Sequence, residues 1–172
     1  MIKDISIVTG ILAAALFLQT TFIYHYLGIY SVIPDLALLL LVFFSVQQGS
    51  IVGQFSGFLA GIVLSMLGNG FPMGFFSIAY LTIGYLFGIG KGNIFFDPLL
   101  IPLLVGLFST IIRNFIMFLV NWVFQLGHPL EDFFGLSLLI ESLYNGILAI
   151  PVFASASWIK TKLMRGRRGF HG

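Results

Sequence analysis

The sequence is short of charge. Only 8% of its 172 residues are Asp, Glu, Lys or Arg, whereas an ordinary soluble domain has about 25%. Hydrophobic residues make up 59% of the chain, and its mean hydropathy is +1.07. Such a chain lacks the polar residues needed to cover a water-exposed surface. The composition therefore excludes an ordinary soluble domain and predicts a protein embedded in a lipid bilayer.

Cysteine is absent, which excludes disulfides, thiolate chemistry and sulfur-ligated metal sites. The three histidines, His25, His128 and His171, are scattered and have no second ligand at metal-binding spacing. No HExxH motif, glycine-rich phosphate loop or GxSxG motif occurs. Basic residues crowd the C-terminus instead of forming a nucleic-acid-binding face. We therefore expect a non-enzymatic protein with no cofactor and no nucleic-acid partner.

Six apolar runs are separated by glycine, proline or charged residues. Since a bilayer core about 30 Å thick needs roughly 20 apolar residues per helix, the sequence predicts an all-α polytopic bundle of about six transmembrane helices. The runs are residues 5–26, 33–47, 51–67, 73–89, 99–126 and 136–159. The bundle is expected to occupy residues 1–160, and residues 161–172 are expected to form a basic cytoplasmic tail. The first run has no small-residue cleavage site after it and is interpreted as an uncleaved helix.

The second and third runs are short for full spans. An alternative is that they form a re-entrant hairpin whose tip is Gln47-Gln48-Gly49-Ser50. Both alternatives give the same orientation to everything downstream.

Orientation follows from the basic residues, because positively charged loops stay in the cytoplasm. With a cytoplasmic N-terminus, all basic residues except Arg113 lie on the cytoplasmic side: Lys3, Lys91, Lys160, Lys162, Arg165, Arg167 and Arg168. The acidic loop 128–132 then lies outside. We therefore expect both termini in the cytoplasm, with the basic tail near anionic membrane lipid.

Small residues recur every four positions in the third run, at Gly53, Gly57, Gly61 and Ser65. This spacing aligns them on one helix face, where another backbone can approach closely. The sequence leaves open whether the partner is another helix of this chain or another protein. A shorter stripe, Gly10 and Ala14, is interpreted as ordinary packing within the bundle.

Arg113 lies near the middle of the fifth run and is followed by Asn114. An arginine at the bilayer centre costs about 2.5–3.5 kcal/mol on insertion scales, so it should face the bundle interior and find acceptors. The candidate acceptors are Glu141 and Asn145, four residues apart on one face of the sixth helix. Counting residues from the span ends places Asn145 within reach, and Glu141 only if the helices shift or a water intervenes.

This group of Arg113, Asn114, Glu141 and Asn145 has two interpretations. It is either a structural clamp between two helices, which we favour, or an ion or substrate path. Asp35 follows Pro34 and is interpreted as a residue at the start of a helix.

Several landmarks, taken in order, resemble the rod shape-determining protein MreD family of bacterial inner membranes, over most of the chain. They are Pro34-Asp35-Leu36, Gly57-Phe58-Leu59-Ala60-Gly61, Met73-Gly74, Gly84-Tyr85-Leu86-Phe87-Gly88 and Tyr144-Asn145-Gly146. In one departure, members often carry an acidic residue near the end of the glycine-rich helix, where this sequence has Ser65.

The resemblance implies a non-enzymatic scaffold of the elongasome, the assembly that directs lateral peptidoglycan synthesis in rod-shaped cells. Such a scaffold docks MreC and, through it, the MreB filament, RodA and a class B penicillin-binding protein. A fold similar to the substrate-capturing S subunits of energy-coupling-factor vitamin importers is also expected.

An importer S subunit is itself the second candidate function, but the outer loops, apart from residues 128–132, have few groups to bind a vitamin. A small-molecule ligand is therefore not expected. A third candidate is an ion channel that oligomerises around Arg113.

Overall fold

The structure is a computed structural model that describes residues 2–23, 33–67, 71–92 and 99–168; for residues 22, 23 and 159–168 it describes the backbone alone. These residues form helices and contain no strand, which confirms the all-α prediction. The helices are α1 (Ile2–Leu18), α2 (Leu36–Gln48), α3 (Ser50–Met66), α4 (Phe75–Ile89), α5 (Leu100–Phe124), α6 (Glu131–Phe134) and α7 (Leu136–Arg168). A π-helical turn, Gln19–Ile23, continues α1.

Six long helices lie where the six apolar runs predict them, and their lengths differ. Three stretches are long and apolar enough to cross a membrane: Ile2–Thr21, Leu100–Phe124 and Glu131–Trp158. The helices α2, α3 and α4 are also apolar but have 13, 17 and 15 residues, fewer than the roughly 20 that a span requires. The predicted end of the first run, at residue 26, lies outside the described residues.

The last helix, α7, is longer than predicted. It continues through the expected domain boundary at residues 160–161 and ends at Arg168, after 33 residues. At about 1.5 Å per residue it is about 50 Å long, well beyond a hydrocarbon core of about 30 Å. The predicted basic tail is therefore helical through Arg168, and residues 169–172 lie outside the described part of the chain.

The centre of the bundle is α2. Eight of its 13 residues are buried, and it packs against all the other long helices, α1, α3, α4, α5 and α7. This position agrees with its sequence, since a helix that is apolar on every side is found in a protein core or in lipid.

A single residue, Gly49, joins α2 to α3 at the predicted hairpin tip. Its φ of 102° lies in the region that favours glycine, and its N–H donates to the Ser45 carbonyl at 2.8 Å. The Lys91 Nζ, just beyond α4, donates to the Gln48 carbonyl at 3.1 Å. A positive charge at this point also complements the negative end of the α2 dipole. Lys91 thus links the end of α4 to the end of α2.

The small-residue stripe of α3 packs against α4 of the same chain. A Cβ atom added to any of its three glycines would overlap backbone atoms of α4, at Gly84 for Gly53, at Tyr80 for Gly57 and at Ser77 for Gly61. The fourth member, Ser65, donates from its Oγ to the Gly61 carbonyl at 2.8 Å and accepts from the Gly74 N–H at 3.3 Å. The glycine face is therefore an internal packing face, and α4 covers it from any other protein.

The shorter stripe does not behave as expected. Gly10 and Ala14 are exposed, and a Cβ atom added to Gly10 would meet no atom within 4 Å. The prediction of ordinary packing within the bundle is therefore wrong for this stripe in the described part of the chain. Spacing alone cannot tell which side of a helix its neighbours occupy.

Gly57, which is packed, and Gly10, which is exposed, provide a matched test of the α3–α4 contact. We expect Gly57→Ala to destabilise the fold by about 1–3 kcal/mol, because the added methyl group forces two packed backbones apart. Gly10→Ala, which adds the same group in open space, should be neutral or slightly stabilising. Reversible unfolding of the purified protein in detergent measures both. Equal effects of the two substitutions would contradict the close packing of α3 on α4.

Candidate functional site

A group of buried polar side chains lies in the middle of the bundle. Four helices contribute to this polar cluster, which comprises Asp35, Tyr80, Thr110, Arg113, Glu141 and Asn145. Arg113 stands 13 residues after the first residue of α5 and 11 residues before the last. The cluster therefore lies about halfway along that helix, where a membrane-spanning helix is furthest from water.

Arg113 joins two carboxylates. Its Nη1 donates to Asp35 Oδ2 at 2.7 Å, and its Nη2 donates to both carboxylate oxygens of Glu141, each at 2.7 Å. The Arg113 side chain is only 10% exposed. Charge-assisted bonds of this length are among the strongest that side chains make. One guanidinium thus ties the start of α2 to α5 and α7.

Asp35 is the N-cap of α2, as the position after Pro34 predicts. Its Oδ1 accepts from the Leu38 N–H at 2.9 Å, while Oδ2 accepts from Arg113 and from the Tyr80 hydroxyl. The N-terminal end of the α2 dipole also favours a negative charge here. The carboxylate is therefore held by α2, α4 and α5 together.

The start of α2 is itself buried in the bundle, which explains why the polar groups gather there. A helix begins with N–H groups that have no partner within the helix, and these are costly to bury unpaired. The Asp35 N–H donates to Asn145 Oδ1 at 2.8 Å, and the Leu36 N–H donates to Gln19 Oε1 at 3.1 Å. Gln19 opens the π-helical turn that follows α1. Side chains of the π-helical turn and of α7 thus complete the cap of α2.

Asn145 also fixes the register of α5 and α7. Its Nδ2 donates to Thr110 Oγ1 at 2.9 Å, and Thr110 Oγ1 donates to the Gly106 carbonyl at 3.0 Å. A Cβ atom added to Gly106 would overlap the Asn145 carbonyl and the Ala149 side chain. The two helices are therefore in close contact at Gly106, about two turns of α5 before Arg113.

The structure corrects the predicted partners of Arg113. Of the two predicted partners, only Glu141 contacts Arg113 directly, whereas the Asn145 side chain bonds to the Asp35 N–H and to Thr110. The other direct partner is Asp35. The prediction assumed that the fifth and sixth spans meet at one level. Instead, α5 extends 11 residues beyond Arg113, and α7 begins only five residues before Glu141. The two counts differ by six residues, or about 9 Å of helix. The connection that contains α6 spans this distance between the end of α5 and the start of α7.

Asn114 does not join the cluster. Its Nδ2 donates to the Thr110 carbonyl on its own helix at 3.1 Å. The sequence did not predict that Tyr80, Thr110 and Gln19 take part in the polar contacts. It predicted Asp35 as the start of a helix but not as a partner of Arg113. One signal for Asp35 was present, since an acidic residue beside an apolar run is an obvious partner for a buried arginine.

A second polar contact ties down the loop after α5. Asn121 Nδ2 donates to the His128 carbonyl at 3.0 Å, and the His128 N–H donates to Asn121 Oδ1 at 3.2 Å. The His128 ring packs on Phe71 with centroids 4.3 Å apart, and its Nδ1 lies 3.7 Å from Asp132 Oδ2. This contact has the form of a loop anchor.

No group of three or more His, Asp or Glu side chains in the described ranges is arranged to hold a metal ion. His25 and His171 lie outside those ranges. No protein-family model, curated protein or solved structure matches this chain. The interpretation of the polar cluster therefore depends on its own geometry.

Removing the central charge tests the role of the cluster. We expect Arg113→Met to destabilise the fold by about 3–5 kcal/mol, because it leaves two carboxylates buried without their cation. Arg113→Lys should cost less, since it keeps the charge but loses the fork that reaches both carboxylates. Equilibrium unfolding in mixed detergent measures both, with Arg167→Met in the basic tail as the control for loss of one positive charge. A loss no greater than that of the control would rule out the clamp.

The two carboxylates should differ in importance. Asp35→Asn is expected to destabilise the fold more than Glu141→Gln, because Asp35 caps α2 and bonds to Tyr80 as well as Arg113. Among the described residues, the carboxylate of Glu141 bonds to Arg113 alone. The same unfolding measurement ranks the two variants, and the opposite ranking would show that the cap of α2 is not the main role of Asp35.

Proposed function

We propose that this chain is a non-enzymatic scaffold of the bacterial inner membrane, of the MreD type, that supports lateral cell-wall synthesis by docking MreC. The observation that carries the proposal is the meeting of the motifs on which the family resemblance is based. Asp35 of the first motif and Asn145 of the last are 110 residues apart in the chain, and they are joined by a hydrogen bond of 2.8 Å. Motifs that meet in this way form one structural unit.

The two glycine-containing motifs meet as well. Added Cβ atoms on Gly84 and Gly88 of α4 would overlap backbone atoms of Gly53 and Ser50. Gly57 and Gly61 of α3 lie in the same contact between α3 and α4. The motifs therefore supply the α3–α4 contact. In lipid, such close backbone packing takes the place of the hydrophobic effect in holding helices together.

The bonding of the polar cluster supports a scaffold more than an ion or substrate path. The charged groups of Arg113, Asp35 and Glu141 bond to one another, and the amide of Asn145 bonds to α2 and α5. An ion path needs polar groups that exchange partners with a passing ion. A cluster of this kind fixes helix positions, as a platform for other proteins requires.

The outer surface supports a position within the bilayer. Every long helix except the central α2 carries large apolar side chains that are at least 40% exposed, among them Ile7 on α1, Phe58 on α3, Ile78 on α4, Phe108 on α5 and Leu143 on α7. Apolar surface on this scale is rare on soluble monomers. The proposal is that membrane lipid covers it, with six crossings and both termini in the cytoplasm.

The second candidate, an importer S subunit, is favoured by one observation. An open depression of about 600 Å³ lies at the end of α5, lined by Asn121, Trp122, Val123, Gln125 and Gly127. Ligand pockets have volumes of about 300–1,000 Å³. However, the Asn121 amide already bonds to the His128 backbone on both sides. The lining has one other side-chain amide, that of Gln125.

Affinity capture separates the two functions. A C-terminally tagged chain, expressed in its native host and extracted in mild detergent, is expected to bring down MreC, RodA and a class B penicillin-binding protein. Depletion of the chain should also turn rod-shaped cells round. An unrelated inner-membrane protein with the same tag is the control. Capture of an ATPase module, or a vitamin that raises the melting temperature by several degrees, would reject the scaffold in favour of the importer.

The absence of cysteine makes the topology directly testable. Single cysteines introduced at Glu131 and at Gly172 have no background reactivity to compete with. We expect a membrane-impermeant maleimide to label the cysteine at 131 in intact spheroplasts, and the cysteine at 172 only after the membrane is opened. Labelling of position 172 from outside would refute the proposed orientation and the family assignment with it.

A further inference from the structure

The helix pair α3–α4 is short, and neither helix extends far beyond the other. A Cβ atom added to Gly88 would overlap the backbone of Ser50, and one added to Gly61 would overlap the backbone of Ser77. The two helices are therefore antiparallel and end at nearly the same levels. Their 17 and 15 residues correspond to about 26 Å and 22 Å of helix.

The apolar surface of this pair is equally short. On α3 the large exposed side chains run from Ile51 to Met66, which is about 22 Å along the helix. On α4 they run from Ile78 to Ile89, and Met73 precedes the helix. A hydrocarbon core about 30 Å thick is several Å taller than this surface. We call it the short face; it comprises Ile51, Phe55, Phe58, Met66, Ile78, Leu86 and Ile89.

A second pair of helices has a much taller apolar surface. Large exposed side chains run from Leu100 to Phe124 on α5 and from Leu136 to Trp158 on α7. These stretches correspond to about 36 Å and 33 Å. A helix of this length crosses a core of ordinary thickness with a moderate tilt. The bundle therefore has a long face, on α5 and α7, as well as the short face.

The described residues of the α3–α4 pair offer no compensation for the missing height. Tilt lowers the height of a helix across the bilayer, so it helps a long span and not a short one. A lysine at a helix end can reach out to the headgroups. The sequence from Gly49 to Gly92 has one charged residue, Lys91, and its ammonium group already bonds to the Gln48 carbonyl. The lipid must therefore adjust to the protein.

The opposite end of the pair is also held close to the helices. The Gly74 N–H, at the start of α4, donates to the Ser65 hydroxyl near the end of α3 at 3.3 Å. Phe71 stacks on Phe75 of α4 with ring centroids 4.6 Å apart. The described part of this turn thus folds back on the pair and adds little to its height.

We propose that the short face binds phospholipids with short acyl chains and thins the bilayer beside it. The matching chains have about 14 carbons, instead of the roughly 18 that suit a core about 30 Å thick. Longer chains would have to compress or would place the Lys91 ammonium group inside hydrocarbon, and both cost free energy. The inference rests on the membrane crossings of the proposed function, and it names the lipid that covers one side of the bundle.

Tryptophan fluorescence in lipid bilayers tests the preference of each face. The full chain would carry Trp122→Phe and Trp158→Phe, which remove both native tryptophans, and one new reporter. Phe58→Trp places the reporter on the short face, and Phe115→Trp places it on the long face; both positions are exposed and near the middle of a helix. Brominated phosphatidylcholine quenches a tryptophan that it contacts. Competition with unbrominated phosphatidylcholines of roughly 14 to 22 carbons gives the relative affinity for each chain length.

The two reporters should give different results. With Phe58→Trp, the lipid with chains of about 14 carbons should bind about two- to fivefold more tightly than the lipid with about 18. With Phe115→Trp this preference should be absent or reversed, because α5 is tall enough for the thicker core. The same preference at both reporters, or no preference for the shorter chain at Phe58→Trp, would overturn the inference. Quenching at Phe115→Trp alone would also overturn it, since another copy of the chain would then cover the short face.

A second pair of reporters keeps the test valid if one of the first does not fold. Ile78→Trp on α4 and Leu143→Trp on α7 replace exposed side chains of the short and the long face, and the same difference is expected between them. Failure of the proposed membrane placement has another signature, because no reporter would then be quenched by any brominated lipid. Capture of MreC plays no part in this measurement, so the scaffold function is tested separately.

Discussion

The bundle depends on the pairing of Arg113 with Asp35 and Glu141. Their side chains are buried near the middle of α5, and burial of any one of these charges without a partner would cost several kcal/mol. Together they bind the start of α2, the middle of α5 and the beginning of α7, and the Tyr80 hydroxyl adds α4. Apolar contacts in lipid leave helices free to slide and rotate, since lipid tails are as apolar as leucine. The ion pairs remove that freedom by specifying which turn of each helix faces which neighbour.

Close backbone packing complements the ion pairs. The stripe of Gly53, Gly57 and Gly61 brings α3 against α4, and Gly106 brings α5 against Asn145 on α7. Gly53 also lets the central helix α2 approach α3, since a Cβ atom added there would overlap the Ser45 side chain. Small residues therefore set the distance between helix pairs, and polar residues set their register. This division of roles suits a protein whose helices are nearly all apolar.

Much of the fold follows from hydrophobicity along the chain. The positions of six helices, the tip at Gly49 and the role of Asp35 at a helix start were all predictable, because each depends on residues adjacent in sequence. The contact of Arg113 with Glu141, the capping by Gln19 and the exposure of Gly10 were not. They depend on the offset between α5 and α7 and on which neighbours each helix has. Local periodicity determines neither the offset between two helices nor the neighbours of a helix. The sequence pattern also did not predict that α7 continues to Arg168.

The sequence separation within the polar cluster has a consequence for biosynthesis. Asp35 precedes Arg113 by 78 residues and Asn145 by 110 residues. At a translation rate of about 5–20 residues per second, the ribosome needs roughly 4–16 s to reach the arginine after it has made the aspartate. Throughout that interval the Asp35 carboxylate lacks Arg113, and the start of α2 lacks the Asn145 side chain. The first four helices therefore cannot complete the polar cluster alone, and the bundle closes only when its last helix has been made.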